Sequence, residues 1–208
     1  MIKTNPKMVK DFFEKSQQNI VIDTTRKDLL VKIANKIAAN YNKGNVNINF
    51  ICTHNSRRSQ LGQVWIFFAA DYFNLPINAL SGGTEVTAFH RNTVETLTQT
   101  GFKFDVVEFS HTNPIYKISF SDEKPSLLGL SKLYDHHENT TPYFVLTTCN
   151  NADENCPFIP EAIERFHVPY VDPKHSDGTP NQSETYLNTS RIIAAQMYFL
   201  FNQIKTLL

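Results

Sequence analysis

No run of this sequence is long and apolar enough to span a membrane, and the polar start, Met1 to Lys10, has no apolar core of the kind a secretory signal carries. The chain is therefore expected to be cytoplasmic. An excess of charge of one sign is also missing: 20 Lys and Arg stand against 20 Asp and Glu. No overall electrostatic basis exists for binding nucleic acid or an acidic membrane, and any anion selectivity has to be local. Cysteine is scarce. Three cysteines, an odd number, are a poor basis for a disulfide framework in a reducing compartment and point instead to nucleophilic or redox roles. Neither an internal repeat nor a low-complexity tract interrupts the 208 residues. Their 41% hydrophobic content is enough for one sizeable core.

What is present centres on Val46 to Phe73. Val46, Ile48, Phe50 and Ile51 read as a strand, Cys52-Thr53-His54-Asn55-Ser56-Arg57-Arg58-Ser59 as a polar loop, and Gln60 to Phe73 as a helix without an internal breaker. A strand that turns at once into a helix aims backbone N–H groups and the positive helix end at the loop's centre, a place to hold an oxyanion. Cys52 at the strand's end, beside Arg58 and over the helix start, is placed to act as a nucleophile at neutral pH.

Around this centre the alternation continues. Asp23 is a candidate cap for a helix from about Thr24 to Asn42, preceded by a shorter amphipathic segment near Met8 to Lys15. These helices can pack on the core or on a second copy of the chain, so a homodimer stays open. Ile77 to Leu80 reads as the next strand and Phe89 to Gly101 as a helix, an order that argues for a parallel sheet with covering helices. Between about 111 and 141 the pattern breaks. Alternating Tyr116, Ile118 and Phe120, turn chemistry at Ser121 to Pro125, and Leu128 to Leu133 describe a β-hairpin insertion, a candidate lid over the substrate side. Tyr143 to Thr148 resumes as a strand and delivers Cys149. A helical piece to about Phe166, a last strand from His167 to Val171, then Asp172-Pro173 and a closing helix capped by Asn181 complete the reading.

The motif Cys52-x5-Arg58-Ser59 resembles the phosphate-binding loop of the low-molecular-weight protein tyrosine phosphatases and of the arsenate reductases that share their fold. The resemblance implies an α/β fold of the phosphotyrosine phosphatase I type: a central four-stranded parallel sheet flanked by helices, here with an N-terminal helical extension (1–44) ahead of a catalytic domain (45–208) carrying the hairpin insertion. It further implies that Thr53 to Ser59 bind the oxyanion, that Cys52 attacks it, that Arg58 holds it and that Asp172, in an Asp-Pro on a late loop, protonates the leaving group. Thioredoxin-coupled arsenate reductases add a Cys-x6-Cys pair ahead of that loop, and Cys149 and Cys156 match it. Cys149 would then form a disulfide with Cys52 and Cys156 would resolve it for thioredoxin, with no cofactor or metal. Were Cys149 to Cys156 helical, their Cα atoms would lie about 10 Å apart, beyond the roughly 7 Å reach of a disulfide, so the segment would have to unwind.

Other readings stay open. The chain can be a phosphatase working through a phosphocysteine on Cys52, with arsenate replaced by a phosphoester and the cysteine pair protecting the nucleophile. It can be a binding module or redox sensor that keeps the loop for recognition, and the cysteine pair with His167 or His175 can hold zinc. The loop departs from the family at its third position, where His54 replaces glycine and would carry the burden of a positive φ, and at Arg57, which replaces cysteine and is expected to face solvent.

Overall fold

Seven consecutive buried residues make β1, Val46–Cys52, the centre of the fold. A strand buried on both faces needs a neighbour on each edge and cover on each side. In the computed structural model, which describes residues 4–44, 46–155 and 158–208, it has both. Cys156 lies outside the described residues. β1 pairs in parallel with β2 (Ile77–Gly83) on one edge and with β6 (Tyr143–Thr147) on the other, and β7 (Ala162–His167) extends the sheet in the order β2-β1-β6-β7. The register sets Cys52 beside Gly83 and Ile51 beside Thr147. β1 serves two cores: the alternating Val46, Ile48 and Phe50 belong to the large cluster, and Ile51 and Cys52 at the strand's end to a smaller one with Tyr143, Val145, Cys149 and Ala152.

The helices are α1 (Pro6–Asn19), α2 (Thr24–Asn40), α3 (Arg58–Tyr72), α4 (Arg91–Gln99), α5 (Asn150–Asn155) and α6 (Gln182–Leu207). α3 is buried nearly all round, and its Trp65 is the hub of an aromatic cluster. Phe12 and Phe13 of α1 stack on the indole at 5.3 and 5.7 Å, Phe102 meets it edge-on, and the indole N–H donates to Ser190 Oγ of α6 at 2.9 Å. The first helices therefore pack on the core. Asp23 caps α2 by accepting from the Arg26 N–H at 2.8 Å.

The expected hairpin is present as β4 (Ile115–Ser119) and β5 (Leu127–Gly129), joined by an unanticipated β3 (Lys103–Glu108) into a three-stranded antiparallel sheet. None of the β3 residues is fully buried, so its pattern is faint. Two expectations fail near the end of the chain. The last strand lies at 162–167 rather than 167–171, and among the described residues after α5 no helix leads into it, because β6 needs a partner along its outer edge and Phe144 to Thr147 find one in Glu164 to His167. Val168 and Tyr170 still donate to Thr147 and Thr148, but Pro169 between them has no N–H and the ladder stops. Asn181 precedes α6 without a side-chain capping bond among the described residues; Gln182 Oε1 instead accepts from the Gly178 N–H of the preceding loop at 2.8 Å.

Candidate active site

β1 ends at Cys52, and residues 53–57 turn the chain directly into α3. Cys52 is buried, with Sγ 3.0 Å from Ser59 Oγ. That hydroxyl accepts from Asn55 Nδ2 at 2.9 Å, which leaves its own proton to give to the sulfur. Asn55, not His54, takes the left-handed backbone, with φ of 45°. Asn tolerates that region through its short polar side chain, whereas His54 stays outside it at the surface, 3.4 Å from Glu85. Asn55 is braced from outside the loop: its Oδ1 accepts from the Lys132 N–H at 2.8 Å and its carbonyl accepts from Gln60 Nε2 at 3.0 Å. Ser131 Oγ donates to the His54 carbonyl at 3.0 Å. The segment leaving β5 is therefore a support beneath the loop. Gly83 completes the cradle, since a Cβ there would stand 2.8 Å from the Asn55 nitrogen and 2.8 Å from the Thr53 carbonyl oxygen.

No side chain caps α3 among the described residues, so its first N–H groups lack partners within the helix and open into the loop. Arg58 is anchored beside them. Its Nη1 donates to the Tyr170 carbonyl at 3.1 Å and to Thr148 at 3.3 Å, and its Nη2 to Asp172 Oδ2 at 2.7 Å. Its Nε is buried without a partner among the described residues. A buried donor left unmade is costly, and an oxyanion in the loop is the partner that would satisfy it. Asp172 also accepts from the Lys174 N–H at 3.0 Å, opening a 3-10 turn over Pro173–Ser176.

Cys149 follows β6 and is 8% exposed. Thr53 Oγ1, on the residue after Cys52, lies 3.4 Å from Cys149 Sγ and donates to Asn151 Oδ1 at 3.0 Å. Both described thiols are free. The Cys149 carbonyl accepts from the Asp153 N–H at 3.0 Å and so opens α5. Asp153 latches this short helix to the sheet, accepting from Thr147 Oγ1 at 2.7 Å and Arg165 Nη2 at 2.5 Å, with His167 at 3.5 Å. Burial alone would push the Asp153 carboxyl up, but the Thr147 hydrogen bond and the charges of His167 and Arg165 outweigh it and hold it below its ordinary value. Among the described residues no three His, Cys, Asp or Glu side chains converge as metal ligands would.

Arg57 is not solvent-facing. Its side chain is 11% exposed, with Nε donating to Tyr186 Oη at 2.7 Å and Nη2 to Asp177 Oδ2 at 3.0 Å. Asp177, Tyr186, Asn92 and Lys132 carry no motif, and sequence reading passes over them. The site thus gathers Cys52, Thr53, Asn55, Arg58, Ser59, Cys149 and Asp172 at the carboxyl ends of β1 and β6. A cavity of about 510 Å³ opens beside the loop, lined by His54, Ser56, Arg57, Thr87, His90 and Lys174 among others.

No family model matches the sequence. The fold is that of solved structures of a YwlE mutant from Bacillus subtilis (TM-score 0.53, 17% identity, 77% of this chain and 99% of that one) and of the low-molecular-weight protein tyrosine phosphatase from T. tengcongensis (TM-score 0.50, 18% identity, 78% and 99%). Arsenate reductase 2 of Staphylococcus saprophyticus is 30% identical over 126 residues, 61% of this chain and 77% of that protein. The chain belongs to the low-molecular-weight protein tyrosine phosphatase superfamily. It is an enzyme of that superfamily, whose members matched here are named as arsenate reductases or phosphatases. Within the superfamily fold, the loop at the end of β1 is the point where the central strand meets an uncapped helix.

Proposed function

We propose that this enzyme reduces arsenate to arsenite with Cys52 as nucleophile and Cys149 and Cys156 as a disulfide relay. The observation that carries the reading is the second thiol: Cys149, buried at the end of the strand next to β1, touches Thr53 of the oxyanion loop. The reduction requires a thiol there as its electron source, whereas phosphoester hydrolysis needs none for turnover and could use it only to protect Cys52 from oxidation. Arsenate would sit among the loop amides with Arg58 Nε as an added donor, competing with Asp172 for the guanidinium. Cys52 attacks arsenic, and an oxygen protonated by Asp172 leaves as water. Cys149 then attacks Cys52 Sγ; the sulfur–arsenic bond breaks with its electron pair going to arsenic, which departs as arsenite, and a Cys52–Cys149 disulfide remains. Cys156 attacks Cys149, Cys52 leaves as thiolate, and an external dithiol of the thioredoxin kind reduces the Cys149–Cys156 bridge by exchange. Such a cycle suits the reducing cytoplasm.

The cavity beside the loop favours a second reading. Its volume of about 510 Å³ is in the range of pockets for organic ligands and far exceeds what a bare oxyanion occupies. Cys52, Arg58 and Asp172 do not line it, so a phosphoester hydrolysed through a phosphocysteine on Cys52 would use it only for the organic group that extends past His54, Ser56 and Arg57. Treating the reduced chain with arsenate, phosphate as control, and mapping disulfides decides between them. A Cys149–Cys156 bridge with one arsenite released supports the reductase; three free thiols in a preparation that hydrolyses an aryl phosphate support the phosphatase.

A further inference from the structure

The turn that bears Asp172 is held to the oxyanion loop at both ends by consecutive residues. At one end Arg58 meets Asp172 at 2.7 Å; at the other Arg57 meets Asp177 at 3.0 Å. The 3-10 turn over Pro173–Ser176 joins the two points as a short rigid span, with Ser176 Oγ donating to the Pro173 carbonyl at 2.8 Å. These grips are not equivalent during turnover, which is where the inference rests on the function proposed above. An oxyanion entering the loop draws the Arg58 guanidinium toward itself, so the Asp172 end loses its ion pair at the moment its carboxyl is needed at the leaving group. The Asp177 end faces no such competition.

Asp177 is built for this holding task. Its Oδ1 accepts from Tyr186 Oη at 2.7 Å and from Asn92 Nδ2 at 3.1 Å, its Oδ2 accepts from Arg57, and His90 Nε2 stands 4.0 Å away. These partners come from α6, α4 and the oxyanion loop. Tyr186 links them, accepting from Arg57 Nε at 2.7 Å while donating to Asp177, with the His90 ring stacked on it at 6.1 Å. The His90 N–H also donates to the Ser56 carbonyl at 3.1 Å, tying α4 to the same loop. Burial by itself would raise the Asp177 carboxyl, but the Tyr186 hydrogen bond and the charges of Arg57 and His90 hold it below its ordinary value. The carboxylate accepts in each of these side-chain hydrogen bonds, while the Asp177 main-chain N–H donates to the Lys174 carbonyl at 3.0 Å.

We propose that Asp177 is a positioning residue of this enzyme: through Arg57, Tyr186 and Asn92 it keeps the acid-bearing turn docked on the oxyanion loop while Arg58 is engaged by substrate. The consequence is specific. Anion binding, which uses the loop amides and Arg58, does not depend on Asp177; protonation of the leaving group does.

The full reduced chain tests this with Asp177→Asn and the milder Tyr186→Phe. Amide exchange at 174–178 should rise at least about tenfold in Asp177→Asn while α3 exchanges as in the parent. Protection of Cys52 from iodoacetamide by inorganic phosphate should keep its midpoint within about twofold, because the phosphate contacts are separate from the altered carboxylate. Turnover of arsenate, or of aryl phosphates, should lose about tenfold or more in kcat with little change in KM, and phenyl phosphate should suffer more than p-nitrophenyl phosphate because its leaving group needs the proton more. Arg57→Met combined with Asp177→Asn should be no worse than either alone. Unchanged exchange at 174–178, an equal loss for good and poor leaving groups, or a loss confined to phosphate protection overturns the proposal. The exchange result holds even for a chain that turns over neither substrate, an outcome that counts only against the function proposed above.

Discussion

Lys132 is the residue whose energy runs against its surroundings. It is 4% exposed, and among the described residues no hydrogen bond or ion pair is made by its ammonium, so burial lowers its pKa from 10.5 to about 8. The fold then binds fewer protons than the unfolded chain between pH 8 and 10.5, and stability rises with pH through that window; below it the charged lysine is a standing cost of about 3 kcal/mol. Its main-chain N–H is what supports Asn55, and a methionine keeps that bond. Lys132→Met should therefore stabilise the protein by about 2 kcal/mol at pH 7 and by much less near pH 10, read from urea melts. Equal gains at both pH values would refute the assignment. At this scale the contiguous residues were legible in the sequence: Cys52, Arg58 and Ser59 lie within one loop, and Asp172 is marked by its proline. Lys132 and Asp177 were not, because what they do depends on Asn55 and Arg57, 77 and 120 residues away.

Among the elements, α5 has the least reason to be a helix. It is six residues long, far below what propensity alone sustains in water, and depends on Asp153 for its attachment to β6 and β7. If the cysteine relay operates, this helix has to open so that Cys149 can reach its partner, and the Asp153 latch is what opening breaks. Asp153→Ala should speed amide exchange in α5 by about tenfold and shorten the lag before Cys149 forms its second disulfide after arsenate is added, since the lost contacts amount to about 1 kcal/mol at a partly exposed site. Slower disulfide formation would mean that Asp153 orders the segment for reaction instead. The fate of β7 follows from the same weakness of local signals. Ala162 to His167 could be read either way in isolation, and the unpaired edge of β6 decided it.

For the whole molecule, the N-terminal helices are part of the main apolar cluster. Phe13 is fully buried between Trp65, Phe68, Tyr72 and Tyr198, so α1 contributes to the same core as α3 and α6. Phe13→Ala should cost about 3–5 kcal/mol, seen as a large fall in Tm with a single cooperative transition. Two transitions, with only the first shifted, would instead favour 1–44 as a unit that unfolds apart from 45–208, the division drawn from the sequence.

The sequence by itself determined the strand, loop and helix at 46–73, the parallel α/β architecture around them and the cap of α2, because each is written in residues adjacent along the chain. Tertiary structure alone decided that Asn55 takes the left-handed turn, that Arg57 turns inward to Asp177, that Cys149 comes to rest against Thr53, and that β3 and β7 are strands. Each of these outcomes is set by hydrogen bonds and packing between segments far apart in sequence, where local propensities differ by about 1 kcal/mol or less and a single buried partner outweighs them.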